Sequence, residues 1–239
     1  MSVAGKLVVI AGATSAAGIA TARALAEAGA RVVAVGRDAP KLVTLRESCC
    51  AKSQYAGPTL ATEVCDLTDE TAVRALADHV RDTHGQPDGL LHLVGGWRGG
   101  GGLAGQSDED YQFLEASFTA LRHVSRAFYE DLSASEAGRL AVVSSTTVVR
   151  PLAGGANYAA VKAATEAWAR AIAQGFAKDA RSRDAARDDG GELAAASVIF
   201  RVKSLAGHED ELATAFVHLW DQPAAELNDT TIDLTEWDS

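Results

Sequence analysis

Three residues stand at spacings that chemistry can use. Ser145 lies thirteen residues before Tyr158, and Lys162 follows four later, in Tyr158-Ala159-Ala160-Val161-Lys162. Four residues is about one helical turn, so a phenol and an ammonium share one helix face. A hydroxyl, a phenol and a cation together can hold an oxygen on which negative charge builds and hand it a proton. From the frequencies of the three residue types, roughly 0.006 accidental trios at these spacings are expected. The competing reading is a core tyrosine beside a surface lysine.

These residues need elements to position them, and the sequence supplies an alternation of short apolar runs and longer helical patterns. Strands are expected at Leu7–Ala11, Arg31–Val35, Leu60–Cys65, Leu90–Val94, Arg139–Ser144, Ala196–Val202 and Thr230–Leu234. Helices are expected at Ala16–Glu27, Asp69–Thr83, Asp108–Leu132, Tyr158–Asp179 and Glu209–Trp220. Strands apolar on both faces and spaced by helices indicate a parallel sheet covered on both sides. Right-handed crossovers then give an α/β, doubly wound parallel sheet in three αβα layers. No repeat and no linker divides the chain, so one domain over residues 1–239 is expected. Ser145 then sits at the C-terminal end of a strand, where ligands bind in open α/β sheets. Two segments read as loops, the glycine run Gly99–Gly102 and the charged stretch Arg181–Gly191.

The first strand runs into Gly12-Ala13-Thr14-Ser15-Ala16-Ala17-Gly18-Ile19 and then a helix. A dinucleotide pyrophosphate needs a tight turn, close backbone approach and a helix N-terminus aimed at it. Gly12 and Gly18 stand at the two ends of this turn, with small Ala16 between them. A plain strand-to-helix turn would read the same. The second strand ends in Gly36-Arg37-Asp38, where many NAD-binding folds carry an acid for the ribose hydroxyls. Arg37 instead can pair with a 2′-phosphate, which favours NADP over NAD. Its alternative is a solvated surface arginine. Asp66, before Leu67 at the end of the third strand, can accept from an adenine amino group or cap the next helix, a task for which Asp69 competes.

Together these residues resemble the short-chain dehydrogenase/reductase family, from Lys6 through Lys162 and more weakly to Leu234. Gly12, Ser15, Gly18 and Ile19 match its cofactor loop, which makes Thr14 and Ala16 within it cofactor-binding candidates too; Asp66 and Leu67 match its adenine contacts, and Val94-Gly95 the small pair that lies against the cofactor. Ser145, Tyr158 and Lys162 match its catalytic serine, tyrosine and lysine. The resemblance implies a Rossmann fold and an NAD(P)-dependent oxidoreductase acting on a carbonyl/alcohol pair. It implies Tyr158 as general acid/base, Ser145 orienting the substrate oxygen, and Lys162 holding the nicotinamide ribose and lowering the tyrosine pKa. Physically, an ammonium near a phenol favours the phenolate and pulls its pKa down from about 10.

The chain also departs from the family. The fourth catalytic member, an asparagine, falls at Ser117, which puts the proton relay in doubt. A pair of asparagines is replaced by His92 and Leu93, and His92 reads as a brace between strands or as a ligand or base. After the sixth strand, Phe200-Arg201-Val202-Lys203-Ser204-Leu205-Ala206-Gly207 leaves no room for a sizeable substrate lid. Trp97, Arg98 and Gly99–Gly102 are the candidates to cover the site, as a mobile flap or as a loop without a binding role. The missing lid and Ser117 support an alternative, a non-catalytic dinucleotide-binding regulator. A third option is a related fold using a tightly held cofactor for dehydration or isomerisation.

Composition sets the outer limits. The chain has 239 residues, 47% of them hydrophobic and 23% charged, which is globular. Its net charge of −10 disfavours nucleic acid and anionic membrane as partners. Three cysteines, two of them adjacent, form no disulfide or metal framework, so no metal and a reduced, cytoplasmic setting are expected. No signal peptide or membrane span is legible. In the resembling family the two alanine-rich helices form a dimer contact. Ala164, Ala167, Trp168 and Ala171 recur at helical spacing, so a homodimer or homotetramer is expected.

Overall fold

A computed structural model describes residues 2–50, 60–184 and 193–234. Seven parallel strands form one sheet in the order β3-β2-β1-β4-β5-β6-β7. They are β1 Leu7–Ala11, β2 Arg31–Gly36, β3 Leu60–Val64, β4 Gly89–His92, β5 Arg139–Ser145, β6 Ala196–Val202 and β7 Thr230–Asp233. The helices are α1 Ala16–Glu27, α2 Ala39–Cys50, α3 Glu70–His84, α4 Asp108–Ala134, α5 Ala156–Asp184, α6 Glu209–Val217 and α7 Ala224–Leu227. The strand order reverses between β1 and β4, so a crevice opens there above the strand C-termini.

Side-chain alternation explains the three layers. Val8 and Ile10 point to a core shared with α1, α2 and α6, and Leu7, Val9 and Ala11 to a second core shared with α3, α4 and α5. The strands are therefore apolar on both faces. α1 occupies the predicted span, with Ser15 as N-cap: its Oγ accepts from the Gly18 N–H. α3 starts one residue later than expected because Asp69 is its N-cap, accepting from the N–H groups of Thr71 and Ala72. The sequence reading missed α2, whose weak amphipathic pattern hides it, and the short α7. Pro40 near the start of α2 was the available signal. The expected helix over Glu209–Trp220 closes as α6 plus a 3₁₀ turn, His218–Asp221. Within the expected charged loop, Arg181–Asp184 finish α5, and the remainder lies outside the described residues. Among the described residues no helix is long and apolar enough to cross a membrane.

Two buried polar devices hold the two ends of β5. Glu166 on α5 accepts from Ser144 Oγ on β5 at 2.8 Å and from Arg201 on β6 at 2.8–3.1 Å. Its carboxyl is held below the usual range: burial pushes it up, and the Arg201 and Ser144 donors, with the charge of Arg170, more than offset that. At the other end of β5, Arg139 is 2% exposed. Its guanidinium donates to the carbonyls of Gly138, Ala194, Leu219 and Gln222 at 2.8–3.0 Å. Burial lowers its pKa to about 10. Trp220 packs over Gly89, where a Cβ would sit 2.9 Å from the indole ring, and donates to the Ala137 carbonyl.

Candidate active site

A cleft of about 420 Å³ lies in this crevice. Its floor and walls include Ser15 and Ala16 from the glycine turn, Val94 and Gly95 after β4, Ser145 from the end of β5, and Tyr158 and Lys162 from α5. The three residues singled out by spacing thus reach one cavity from two elements. Ser145 is buried, and its Oγ accepts from the Thr147 N–H at 3.2 Å and from Thr147 Oγ1 at 3.0 Å. Lys162 Nζ donates to the Val143 carbonyl at 2.8 Å and lies 5.8 Å from the centre of the Tyr158 ring. Burial lowers the Lys162 pKa to about 8.

Tyr158 departs from expectation in the chain alone. Burial raises its pKa, and the Ser145 hydroxyl pulls the other way without overcoming it. The lowering expected from Lys162 is not realised here, because that ammonium is turned to the Val143 carbonyl and is itself easily deprotonated.

Ser117 Oγ donates to the Leu114 carbonyl at 2.6 Å, back along its own helix, and Ser117 is not among the cleft residues. Between it and the cleft stands His92. The imidazole Nε2 lies 3.1 Å from the Ser117 carbonyl, which fixes Nε2 as the protonated nitrogen. Nδ1 is buried and has no partner among the described residues. Burial and then the charge of Lys162 lower the His92 pKa to about 3, so the ring is neutral. His92 therefore braces β4 to α4, rather than to a neighbouring strand. It also lines the cleft. The orphan nitrogen has no sequence signal; only the replacement of an asparagine pair pointed there.

The glycine turn fits a dinucleotide phosphate. Gly12 has φ +92°, and a Cβ there would lie 2.9 Å from backbone atoms of Leu93 and Val94. A Cβ at Gly18 would meet the Ala13 backbone at 2.6–2.7 Å. The turn thus draws the N-terminus of α1 close against β1 and β4, and the N–H groups of that helix end face the crevice. A Cβ on Gly36 would come within 3.0 Å of Thr14. The following Arg37 is exposed and stands close enough to Asp66 that its charge helps lower that carboxyl, behind the stronger effects of the Thr68 N–H and hydroxyl. Asp66 closes a local turn on Thr68, leaving the helix cap to Asp69. Leu67 is buried, its carbonyl 3.3 Å from His123 Nδ1.

Beyond Gly96 and Trp97, which line the cleft, two loops are tied together. Gly100 N–H donates to the Gly154 carbonyl at 2.7 Å, and Gln106 Nε2 donates to the same oxygen at 3.1 Å. Gln106 Oε1 accepts from the Asn157 N–H, one residue before Tyr158. The glycine run is thereby pinned beside Tyr158. Gly100, Gly101 and Gly102 all have positive φ, which explains the residue choice. The opposite wall is the short connection after β6, with Lys203–Ala206 and Glu209 lining the cleft in place of a lid.

A family described as short chain dehydrogenase matches residues 6–180. The 3-oxoacyl-[acyl-carrier-protein] reductase FabG of Pseudomonas aeruginosa is 28% identical over 174 residues, 73% of this chain and 69% of that protein. A metagenomic short-chain oxidoreductase solved in complex with NADP is 26% identical, with a TM-score of 0.80 over 98% of both chains. L-sorbose reductase from Gluconobacter frateurii, solved with NADPH and L-sorbose, is 20% identical, with a TM-score of 0.80 over 98% of this chain and 96% of that one.

Proposed function

From the premise that the chain belongs to the short-chain dehydrogenase/reductase family and is an NAD(P)-dependent oxidoreductase, we propose that it reduces a carbonyl compound at the Ser145–Tyr158–Lys162 cleft with NADP preferred. The observation that carries this reading is the convergence of those three side chains on one cavity floored by the glycine turn. When bound, the nicotinamide supplies or takes up hydride.

The chain's own residues handle the oxygen and the proton. Ser145 Oγ, kept in place by Thr147, donates to the substrate oxygen as negative charge grows on it. Tyr158 gives that oxygen its proton. Burial raises its pKa, which keeps it protonated and ready for the reducing direction. Lys162 holds a ribose hydroxyl and stabilises the phenolate left behind. His92, neutral and at the cleft wall, keeps a second positive charge away from Lys162.

Arg37 supports NADP, because it is an exposed guanidinium at the end of β2 where a ribose-binding acid would stand. The exposed Trp97, with Leu205 and Ala206 elsewhere on the cleft wall, supports a substrate with an apolar flank. A homodimer or homotetramer is supported by exposed Ala167 and Ala171 along α5, although Trp168 is used inside the chain, donating to Ser125 Oγ at 2.9 Å. A cytoplasmic setting rests on the three-cysteine composition alone. No observation favours the non-catalytic alternative.

Tyr158→Phe tests the reading on a ketone substrate found by following NADPH oxidation. It removes the hydroxyl and leaves the ring, so cofactor binding should survive while turnover falls by ~10²–10⁴-fold. Near-normal turnover in this variant would remove Tyr158 as the proton donor and the proposal with it.

A further inference from the structure

Glu63 stands on β3, the strand at the sheet's edge, and His79 and His84 on the last turns of α3. Glu63 Oε1 lies 3.3 Å from His79 Nε2 and 4.0 Å from His84 Nε2. One ligand atom from each of the three residues lies within 4.8 Å of the other two. None of them lines the catalytic cleft. We propose that Glu63, His79 and His84 form a binding site for a divalent transition ion of the zinc type.

Donors placed tetrahedrally about 2.0–2.1 Å from zinc are about 3.3–3.4 Å from one another. The Glu63–His79 pair already has that spacing, and the others must close by about 1.4 Å at most. His79 has 53% of its side chain exposed, which leaves its ring room to rotate, and its ring contact is an edge contact with His84 itself. The chemistry around His79 also fits. Thr83 Oγ1 lies 3.4 Å from its Nδ1, the kind of partner to which a metal-bound histidine gives its second ring N–H. With the proton on Nδ1, the Nε2 lone pair faces a carboxylate oxygen. In that tautomer Nε2 and Oε1, 3.3 Å apart, are both acceptors, and a cation between them satisfies both.

The surroundings favour the cation. His84 is the last residue of α3, where the helix dipole is negative, and the chain as a whole is acidic. The Arg31 guanidinium bonds the His84 carbonyl and so secures the helix end. Two imidazoles and one carboxylate suit zinc, cobalt or nickel, whereas magnesium and calcium prefer oxygen donors. Three protein ligands leave a fourth position for water. An ion here clips the edge strand to the end of α3.

The test uses the full chain without a histidine tag, stripped with chelator and titrated with Zn²⁺ by calorimetry. One ion per chain should bind, and Mg²⁺ should not. His79→Ala and Glu63→Gln should each weaken Zn²⁺ at least about tenfold, while His218→Ala, which alters a separate His–Asp pair, leaves it unchanged. Co²⁺ on the parent chain gives a second readout that does not depend on the variants. A tetrahedral visible spectrum without a thiolate charge-transfer band supports the site. Absence of saturable 1:1 binding, a thiolate band, or binding unaltered in both ligand variants would overturn it.

Discussion

The affinity for NADPH should fall as pH rises past 8, and the reason lies in Lys162. Its pKa of about 8 follows from burial, so it is about nine-tenths ammonium at pH 7 and about one-tenth at pH 9. A hydrogen bond from the ammonium to a ribose hydroxyl contributes about 1.5–3 kcal/mol. That interaction lifts the pKa in the complex by about one to two units. Combining the two titrations, the dissociation constant should rise about five- to tenfold between pH 7 and pH 9. Fluorescence titration of the purified chain with NADPH measures this without any substrate. Lys162→Met should bind more weakly at pH 7 and show no slope. Stability should move the other way. A lysine whose folded pKa lies below its unfolded value loses its proton more readily when folded. The unfolding free energy should therefore rise between pH 8 and 10 by at most about 1.4 kcal/mol per pH unit. A parent chain whose affinity changes less than twofold over this range, or a methionine variant with the parent's slope, would refute the assignment of the ribose contact to Lys162.

Arg37→Ala should weaken NADPH by about tenfold, the low end for a charge-assisted contact because the guanidinium is exposed, and leave NADH within twofold; equal losses for both would mean that Arg37 does not read the 2′-phosphate. Gly18→Ala sets two effects against each other. Helix propensity favours alanine by about 1 kcal/mol, but the new methyl would meet the Ala13 backbone at 2.6–2.7 Å, where nothing flexible can yield. Overpacking of about 1–3 kcal/mol should win, so thermal unfolding should shift down and dinucleotide affinity should fall; a raised midpoint would show that the turn has slack.

The sequence made the strands legible because a doubly covered sheet leaves little choice: each strand is a β-branched or leucine run bounded by turns. β1, α1 and β6 lie where the pattern placed them. β4 is shorter than read, since Leu93 and Val94 leave the ladder to meet the glycine turn. The trio at 145, 158 and 162 was legible because strand and helix geometry convert its spacing directly into proximity. Long-range contacts were not. His92 faces Ser117 across 25 positions, and the Gly100–Gly154 tie joins two loops that no local pattern relates. The direction of the Tyr158 shift was likewise out of reach, because it depends on where the Lys162 ammonium turns.

Arg139 also makes the central strand depend on distant parts of the chain. Its guanidinium sits at the start of the strand that ends in Ser145, yet three of its carbonyl partners come 55, 80 and 83 residues later, at Ala194, Leu219 and Gln222. A nascent chain that has already emerged through the glycine turn, Tyr158 and Lys162 still holds a cation with those three acceptors missing. Burying it without them is expensive, so the packing of this strand depends on carbonyls contributed from well beyond it in the chain. A stretch with no residue in the trio thus anchors the strand that carries Ser145.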